Sequence, residues 1–365
     1  MQSQLVIDFL RNQPVGEYVL KRSFISSAVI ALSIGFTSIA SAEDIRLTGS
    51  GASFPFPIYS SWFKDFSKQA KGVTVDYQAK GSGAGIQDFT NNTVDFAASD
   101  AAMDDAEIAK VKEGVVLLPM TAGEIVLSYN LSGVKELKLP RDVYVDIFMG
   151  KIEKWNDPKI VAANPGVKLP DEKITVVARS DSSGTTYVFT GHLSAISEAF
   201  KNSVGHGKTV QWPKSFVKSP KNDGVTATIK QTPGAIGYIE YGYAIATKQP
   251  MAVLQNKAGH FVAPNDESGK AALASAEFPT STLPGSDTPD LRVWVSDPAG
   301  DQAYPIATFT WMLFYQDQDD SKAKVLRDLV EYGLTKGQAM APKLGFIPLP
   351  DNVVEKVRKA AALIQ

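Results

Sequence analysis

The chain has 365 residues, no cysteine, and 37 basic against 39 acidic side chains, a formal net charge of −2 at pH 7. That length carries two domains with a real core, and the near-neutral balance excludes a basic field that would attract nucleic acid. The missing cysteine excludes disulfides and a lipid-modified N-terminal Cys, so the fold must rest on packing.

Lys21-Arg22 precedes the apolar stretch Phe24–Ile39, which ends in Ala40-Ser41-Ala42. A basic start, a short apolar core and small residues at the cut site predict a secretory signal peptide cleaved before Glu43. A membrane span needs about 20 apolar residues; this run is shorter and broken by serines. Residues 1–18 precede the basic segment at which such leaders usually begin. Gly16-Glu17 can be encoded by a ribosome-binding sequence and Val19 or Leu20 by a GTG or TTG start, so residues 1–18 are expected to be an artefact of start assignment. The 42-residue leader holds three basic and two acidic residues, leaving 34 against 37 and a net charge of −3 in the mature chain. The expected product is a free protein in the periplasm of a Gram-negative cell.

Residues 45–57 read as a short strand followed by a glycine-rich turn, with Ser53 and the amide of Phe54 at its mouth. Pro57 starts a helix whose Ile58, Trp62 and Phe66 share one face. Ser61 and Lys64 match a Ser-x-x-Lys pair, but no Lys-Thr-Gly or Ser-Asp-Asn accompanies it, which argues against catalysis there. Val73–Tyr77 alternates as a strand and runs into Gly81-Ser-Gly-Ala-Gly85 and a short helix around Ile86–Thr90. The third glycine stands one place early for a dinucleotide fingerprint, so this reads as a second donor turn, centred on Ser82. Val94–Asp100 ends a strand with Asp100 at its tip; Asp100 as the cap of a helix starting near Asp104 is the competing reading.

Val115–Tyr129 is apolar and strand-like, interrupted at Pro119 and at Thr121-Ala-Gly123, a plausible crossover. Ile174–Val177 reads as a buried strand, and Phe189, Leu193, Ile196 and Phe200 as the stripe of one amphipathic helix. Between them lies Arg179-Ser-Asp-Ser-Ser-Gly-Thr185, a polar strand-to-helix turn. Its first helical amides have no intrahelical partner and sit at the positive end of the dipole. Ser183 and Thr185 add hydroxyls, Gly184 admits close approach, and Arg179 supplies a planar cationic fork. Every group there is a donor, which suits a small oxyanion; a helix cap with Arg179 in a surface pair fits the same residues. Lys221-Asn-Asp-Gly224 fits a further donor turn or, more simply, a plain helix cap. Pro233–Tyr241 makes a turn and strand, residues 264–300 read as surface loops, and Tyr304–Phe314 as a strand. A helix follows at Lys322–Tyr332, and the C-terminal helix from Asp351 carries Val354, Val357, Ala361 and Ile364 on one side. Alternating strands and helices define an α/β chain with mixed or parallel sheets.

His192, His206 and His260 are the only histidines, and none forms a ligand pair. Ser183 has no nearby His, and no His, Asp or Glu cluster has metal spacing. The residues offer binding chemistry without reaction chemistry, no metal and no cofactor.

The segments Thr48–Pro55, Gly81–Gly85, Asn92–Asp100, Arg179–Thr185, Asn222–Gly224, Pro233–Tyr238 and Gly345–Pro350 together resemble the periplasmic phosphate-binding proteins of the phosphate-specific ABC transporter. The resemblance spans 45–365, in order and at family-like spacing. It implies a two-lobed type II substrate-binding fold, with lobe one formed by 43–120 and 300–365 and lobe two by 121–299. It implies phosphate ligands at Ser53, the amide of Phe54, Ser82, Asp100, Arg179, Ser183, the amide of Gly184, and Thr185, with Asp181 pairing the arginine. Its partners would be the inner-membrane permease and its cytoplasmic ATPase, served by a monomer. This sequence departs from the family at Ser53, where Thr is common, at Ala79-Lys80 before the second turn, and at Ser182, usually a glycine. Ser53 keeps the hydroxyl, while Lys80 would add positive potential and Ser182 would tighten its turn.

The chemistry implied is a proton test. Phosphate near neutral pH carries an O–H and sulfate carries none, so Asp100 accepts from phosphate while the other groups donate. Sulfate would set a lone pair against a buried carboxylate. That argues against a binder of sulfate, molybdate or tungstate; a secreted phosphohydrolase is the other alternative. Closure of two lobes would bury the ligand and signal occupancy to the permease.

Overall fold

The computed structural model of the protein describes residues 44–365; the leader and its cleavage site lie outside the described residues. The chain enters on β1 (Ile45–Gly51), passes through α1 (Phe56–Gln69) and returns on β2 (Val73–Ala79), parallel to β1. Ile58, Trp62 and Phe66 line the inner face of α1, widened by Tyr59 and Phe63; all five are buried. α2 (Ser82–Thr90) opens at Ser82, earlier than expected, because its first turn is Ser-Gly-Ala-Gly and carries no large apolar side chain to signal it. β3 (Phe96–Ser99) pairs parallel with β1 and stops one residue short of Asp100. Asp104, in a reciprocal box with Glu107, caps α3 (Asp105–Ile108), so Asp100 is not that cap.

β4 (Val115–Tyr129) is a single strand of 15 residues, all buried. The expected interruption at Pro119 is instead a register slip against the strand Ala307–Tyr315, between Thr310 and Trp311. A bulge is where a strand tolerates a proline. Short β5 (Lys138–Leu139), α4 (Arg141–Phe148) and α5 (Pro158–Ala163) lead to β6 (Thr175–Arg179). The helix expected through Phe200 is two: α6 (Gly184–Ile196) and α7 (Glu198–Ser203), separated by an extended Ser197 whose hydroxyl caps α7. β7 (Val217–Ser219), α8 (Lys221–Gln231), β8 (Ala235–Glu240) and α9 (Tyr241–Thr247) follow.

β9 (Val253–Gln255) and β10 (Phe261–Val262) form a small sheet with β5. The stretch 264–300 is more than surface loop. It contains α10 (Asp266–Leu273), capped by Asn265, and it buries Leu283 and Leu291. Composition signalled turns there, and tertiary packing overrode it. β11 (Ala307–Tyr315) and α11 (Asp320–Tyr332) follow, and the chain closes on α12 (Asp351–Ala361). The expected face of α12 holds at Val357, Ala361 and Ile364, all buried, and is extended by Val353 and Ala360, whereas Val354 is only half-buried.

Within residues 44–365 the main sheet has eight strands in the order β2-β1-β3-β11-β4-β8-β6-β7. β4 joins its two ends: Val115–Glu124 pairs with β11, and Ile125–Tyr129 pairs with β8. β1, β2 and β3 run parallel at one end, and β6, β7 and β8 run parallel at the other. Each end therefore presents the carboxyl ends of parallel strands, followed directly by helices, the usual place for a ligand crevice in an α/β sheet. Among the described residues no helix is long and apolar enough to cross a membrane.

Candidate functional site

Four strand-to-helix turns meet at one point. β1 runs into Ser53 and Phe54 ahead of α1, β2 into Gly81 and Ser82 at α2, β6 into Arg179–Gly184 at α6, and β7 into Asn222 at α8. Each helix brings first-turn amides that lack intrahelical acceptors and the positive end of its dipole. Asp100, one residue beyond β3, is the carboxylate among them.

The side chains of Ser53, Ser82, Asp100, Arg179, Ser183 and Thr185 are brought together and all are buried. Arg179 is gripped in a two-pronged pair by Asp181, Nε to Oδ1 at 2.8 Å and Nη2 to Oδ2 at 2.6 Å. Its remaining nitrogen, Nη1, donates to Thr185 Oγ1 at 3.2 Å. Ser183 Oγ accepts from the amide of Thr186 at 3.0 Å and caps α6, so cap and donor turn are one structure. Ser82 Oγ lies 3.4 Å from Asp100 Oδ2. Gly184 faces both: a Cβ there would fall 2.4 Å from Ser82 Oγ and 2.6 Å from Asp100 Oδ2, so only glycine fits. Gly81, at φ +99, is likewise pressed against Asp181 and Ser182. The amide of Gly83 donates to the Ser182 carbonyl at 3.0 Å. The α2 turn and the α6 turn, from opposite ends of the sheet, thus touch directly.

The expectation of a plain cap at Lys221-Asn-Asp-Gly is overturned. Pro220 takes the N-cap position of α8 without a side-chain bond. Asn222, fully buried, turns inward and donates through Nδ2 to Ser53 Oγ at 3.0 Å and to Thr185 Oγ1 at 3.2 Å. Its amide also donates to Ser53 Oγ, and its Oδ1 accepts from the Glu240 amide at 2.9 Å. Sequence spacing could not separate the two readings, because a helix start looks the same whether its side chain points out or in. Nothing near Tyr243 in sequence signals its part either; its hydroxyl donates to the Ser53 carbonyl at 2.6 Å. Lys80 does not add potential to the site, since its ammonium pairs with Asp88 at 2.9 Å.

Charge at the site is set by three groups. Burial alone would raise the Asp181 carboxyl, but the bonds from Arg179 win and hold it below the usual carboxylate range. Burial pushes Asp100 up to about 7, against the pull of Thr310, Arg179 and Ser82. Arg179 is thus neutralised by Asp181, and an anion is attracted by dipoles and hydrogen bonds more than by net charge. Asp100 is held near the point where it changes from acceptor to donor.

His192 is buried, its Nε2 2.9 Å from the Tyr144 hydroxyl and its Nδ1 2.7 Å from the Ser296 carbonyl. Burial holds it down to about 4, so it is neutral and bonded away from Ser183.

This curled sheet, with its donor turns at the strand ends, is the architecture of periplasmic substrate-binding proteins, and a family profile described as "PBP superfamily domain" matches residues 37–335. The phosphate-binding protein PstS of Xylella fastidiosa is 37% identical over 323 residues, covering 88% of this chain and 86% of that protein. That of Methanocaldococcus jannaschii is 38% identical over 340 residues, with 88% and 86% covered. The solved phosphate-binding protein from Stenotrophomonas maltophilia shares the fold with a TM-score of 0.70 at 21% identity, over 86% of this chain and 93% of that one. The chain belongs to the family of phosphate-binding proteins PstS.

Proposed function

We propose that this chain binds inorganic phosphate in the periplasm and delivers it to an ABC-type importer, without catalysing a reaction. What supports this is the meeting of four helix starts through Ser53, Asn222, Thr185 and Arg179, with the buried Asp100 carboxylate against two of them at Ser82 and Gly184. Ser53, the Phe54 amide, Ser82, Arg179, Ser183, the Gly184 amide and Thr185 donate to phosphate oxygens. Asp100 Oδ2 accepts the phosphate hydrogen, and Asp181 holds the guanidinium plane. The family membership and the names of the relatives support the same ligand.

The two ends of the sheet act as lobes, one from 43–120 with 300–365 and the other from 121–299, hinged where β4 and β11 pass between them. Asn222 bridging Ser53 and Thr185 is a closure contact of this kind. The protein works as a monomer, released by cleavage after Ala42, and a permease with a cytoplasmic ATPase takes the ligand. Calorimetry on protein unfolded, stripped of ligand and refolded tests the reading. Tight binding of phosphate and arsenate with weak sulfate is expected at pH 8.5; sulfate binding as tightly as phosphate there would refute it. Hydrolysis of phosphate esters by the pure protein would refute the non-catalytic assignment.

A further inference from the structure

Of the two carboxylate oxygens of Asp100, Oδ2 is the one that faces Gly184 and Ser82. The other, Oδ1, accepts from Thr310 Oγ1 at 2.9 Å. Thr310 comes from β11, 210 residues further along the chain and fully buried. Its placement follows from the ladder: Trp311 pairs antiparallel with Ser99, and the same register carried one step further sets Thr310 opposite Asp100. On its other side β11 slips register against β4 between Thr310 and Trp311, the kind of bulge that re-aims a side chain.

A hydroxyl has one hydrogen to give, and this one goes to Oδ1. The Tyr59 phenol is also buried here, but it approaches the Thr310 hydroxyl and affects Asp100 only through charge, with no hydrogen bond to its carboxylate. Among the described residues Thr310 is therefore the side-chain donor that meets Oδ1.

We propose that Thr310 is the positioning residue for anion selectivity: by occupying Asp100 Oδ1 it turns Oδ2 to the ligand and keeps the carboxylate an acceptor. Without that hydrogen bond the buried carboxylate is left with less support for its charge. Among the described residues the remaining groups around it are one cation, Arg179, and the buried acids Tyr59, Tyr77, Tyr243 and Glu240, whose own ionisation burial and the Asp100 charge disfavour, so that they stay neutral and do not replace the lost donor. A protonated Asp100 offers a donor to a protonless oxyanion, and sulfate is no longer refused. The proposal rests on Asp100 being the acceptor for the ligand proton.

Sulfate and phosphate affinities measured from pH 6 to 9 at fixed ionic strength test it in wild type, Thr310→Val, Thr310→Ser and Asp100→Asn. In wild type, sulfate affinity should fall by about tenfold per pH unit above the pH at which Asp100 ionises. Thr310→Val should move that onset up by about one unit or more, lowering the phosphate-to-sulfate ratio at pH 8.5 by about tenfold. Thr310→Ser should restore the wild-type onset, because the hydroxyl returns. An unmoved onset in a folded Thr310→Val protein overturns the proposal; if valine prevents folding, Thr310→Ala removes the same donor and is read the same way. Asp100→Asn separates the two levels. Loss of the pH dependence there, with no shift in Thr310→Val, refutes only the role of Thr310. A pH dependence that survives Asp100→Asn refutes the acceptor reading and this proposal with it.

Discussion

Replacing Asp100 by asparagine keeps the size of the side chain and removes its charge, and the outcome depends on which anion is offered. Burial pushes the Asp100 carboxyl up to about 7, so at pH 8.5 it is an acceptor waiting for a proton. Phosphate brings that proton. Sulfate must have one placed on Asp100, at about 1.4 kcal/mol for each pH unit above the carboxyl's own midpoint. At pH 8.5 the gap of about 1.5 units makes this about 2 kcal/mol, or roughly thirtyfold in affinity. Asparagine removes the penalty, because its amide can donate to sulfate at any pH. Phosphate loses a charge-assisted hydrogen bond but gains relief from repulsion by a buried carboxylate, and its affinity should change little. The phosphate-to-sulfate ratio in Asp100→Asn should therefore fall at least about tenfold at pH 8.5 and lose its pH dependence. Competition binding at constant ionic strength measures both. A ratio equal to wild type would take Asp100 out of the recognition of phosphate.

Arg179→Ala should weaken phosphate by about one to two decades, the range of a charge-assisted pair at roughly 1.5–3 kcal/mol, with the thermal melt checking that the fold survives. Asn222→Ala removes the bridge to Ser53 and Thr185 and strands the Glu240 amide, so phosphate dissociation in stopped flow should quicken about tenfold and the melting temperature should drop. Glu124 is buried in β4, and burial raises its carboxyl to about 8, above an ordinary value near 4.5. The folded state then binds more protons than the unfolded one between these values, and stability falls as pH rises through that window. Glu124→Gln should remove a penalty on the order of 5 kcal/mol at pH 9 and little at pH 4, measured by denaturant titration at both; equal effects at the two pH values would contradict this. Mass spectrometry of a periplasmic extract should find Glu43 as the mature N-terminus.

The donor turns were legible because they are local. A strand, a cluster of Ser, Gly and Thr, and a helix lie within about a dozen residues at Thr48–Ile58 and Thr175–Phe189, and the chemistry follows from the residue types. What was not legible depends on contacts made far along the chain. Thr310 sits in an apolar strand pattern, and nothing near it in sequence says that Asp100 lies opposite. Asn222 reads as a helix start in either orientation, and only the nearness of Ser53, 169 residues away, decides it. Pro119 looks like a break because propensity is local, whereas the bulge that accommodates it belongs to a strand pair. Ser197 divides α6 from α7 because its hydroxyl caps the second helix; the apolar spacing runs through it unbroken. α10 was hidden by the turn-rich composition around it, although Asn265 and Ser268 form its capping box.

The decisive measurement is a crystal structure of the ligand-stripped protein recombined with phosphate. Phosphate oxygens should lie within hydrogen-bond reach of Ser53, the Phe54 amide, Ser82, Arg179, Ser183, the Gly184 amide and Thr185. One oxygen should sit at about 2.5–2.7 Å from Asp100 Oδ2, the range of an O–H···O⁻ bond, with Oδ1 still on Thr310. Phosphate bound elsewhere, or bound here with Asp100 turned away from every phosphate oxygen, would contradict this arrangement.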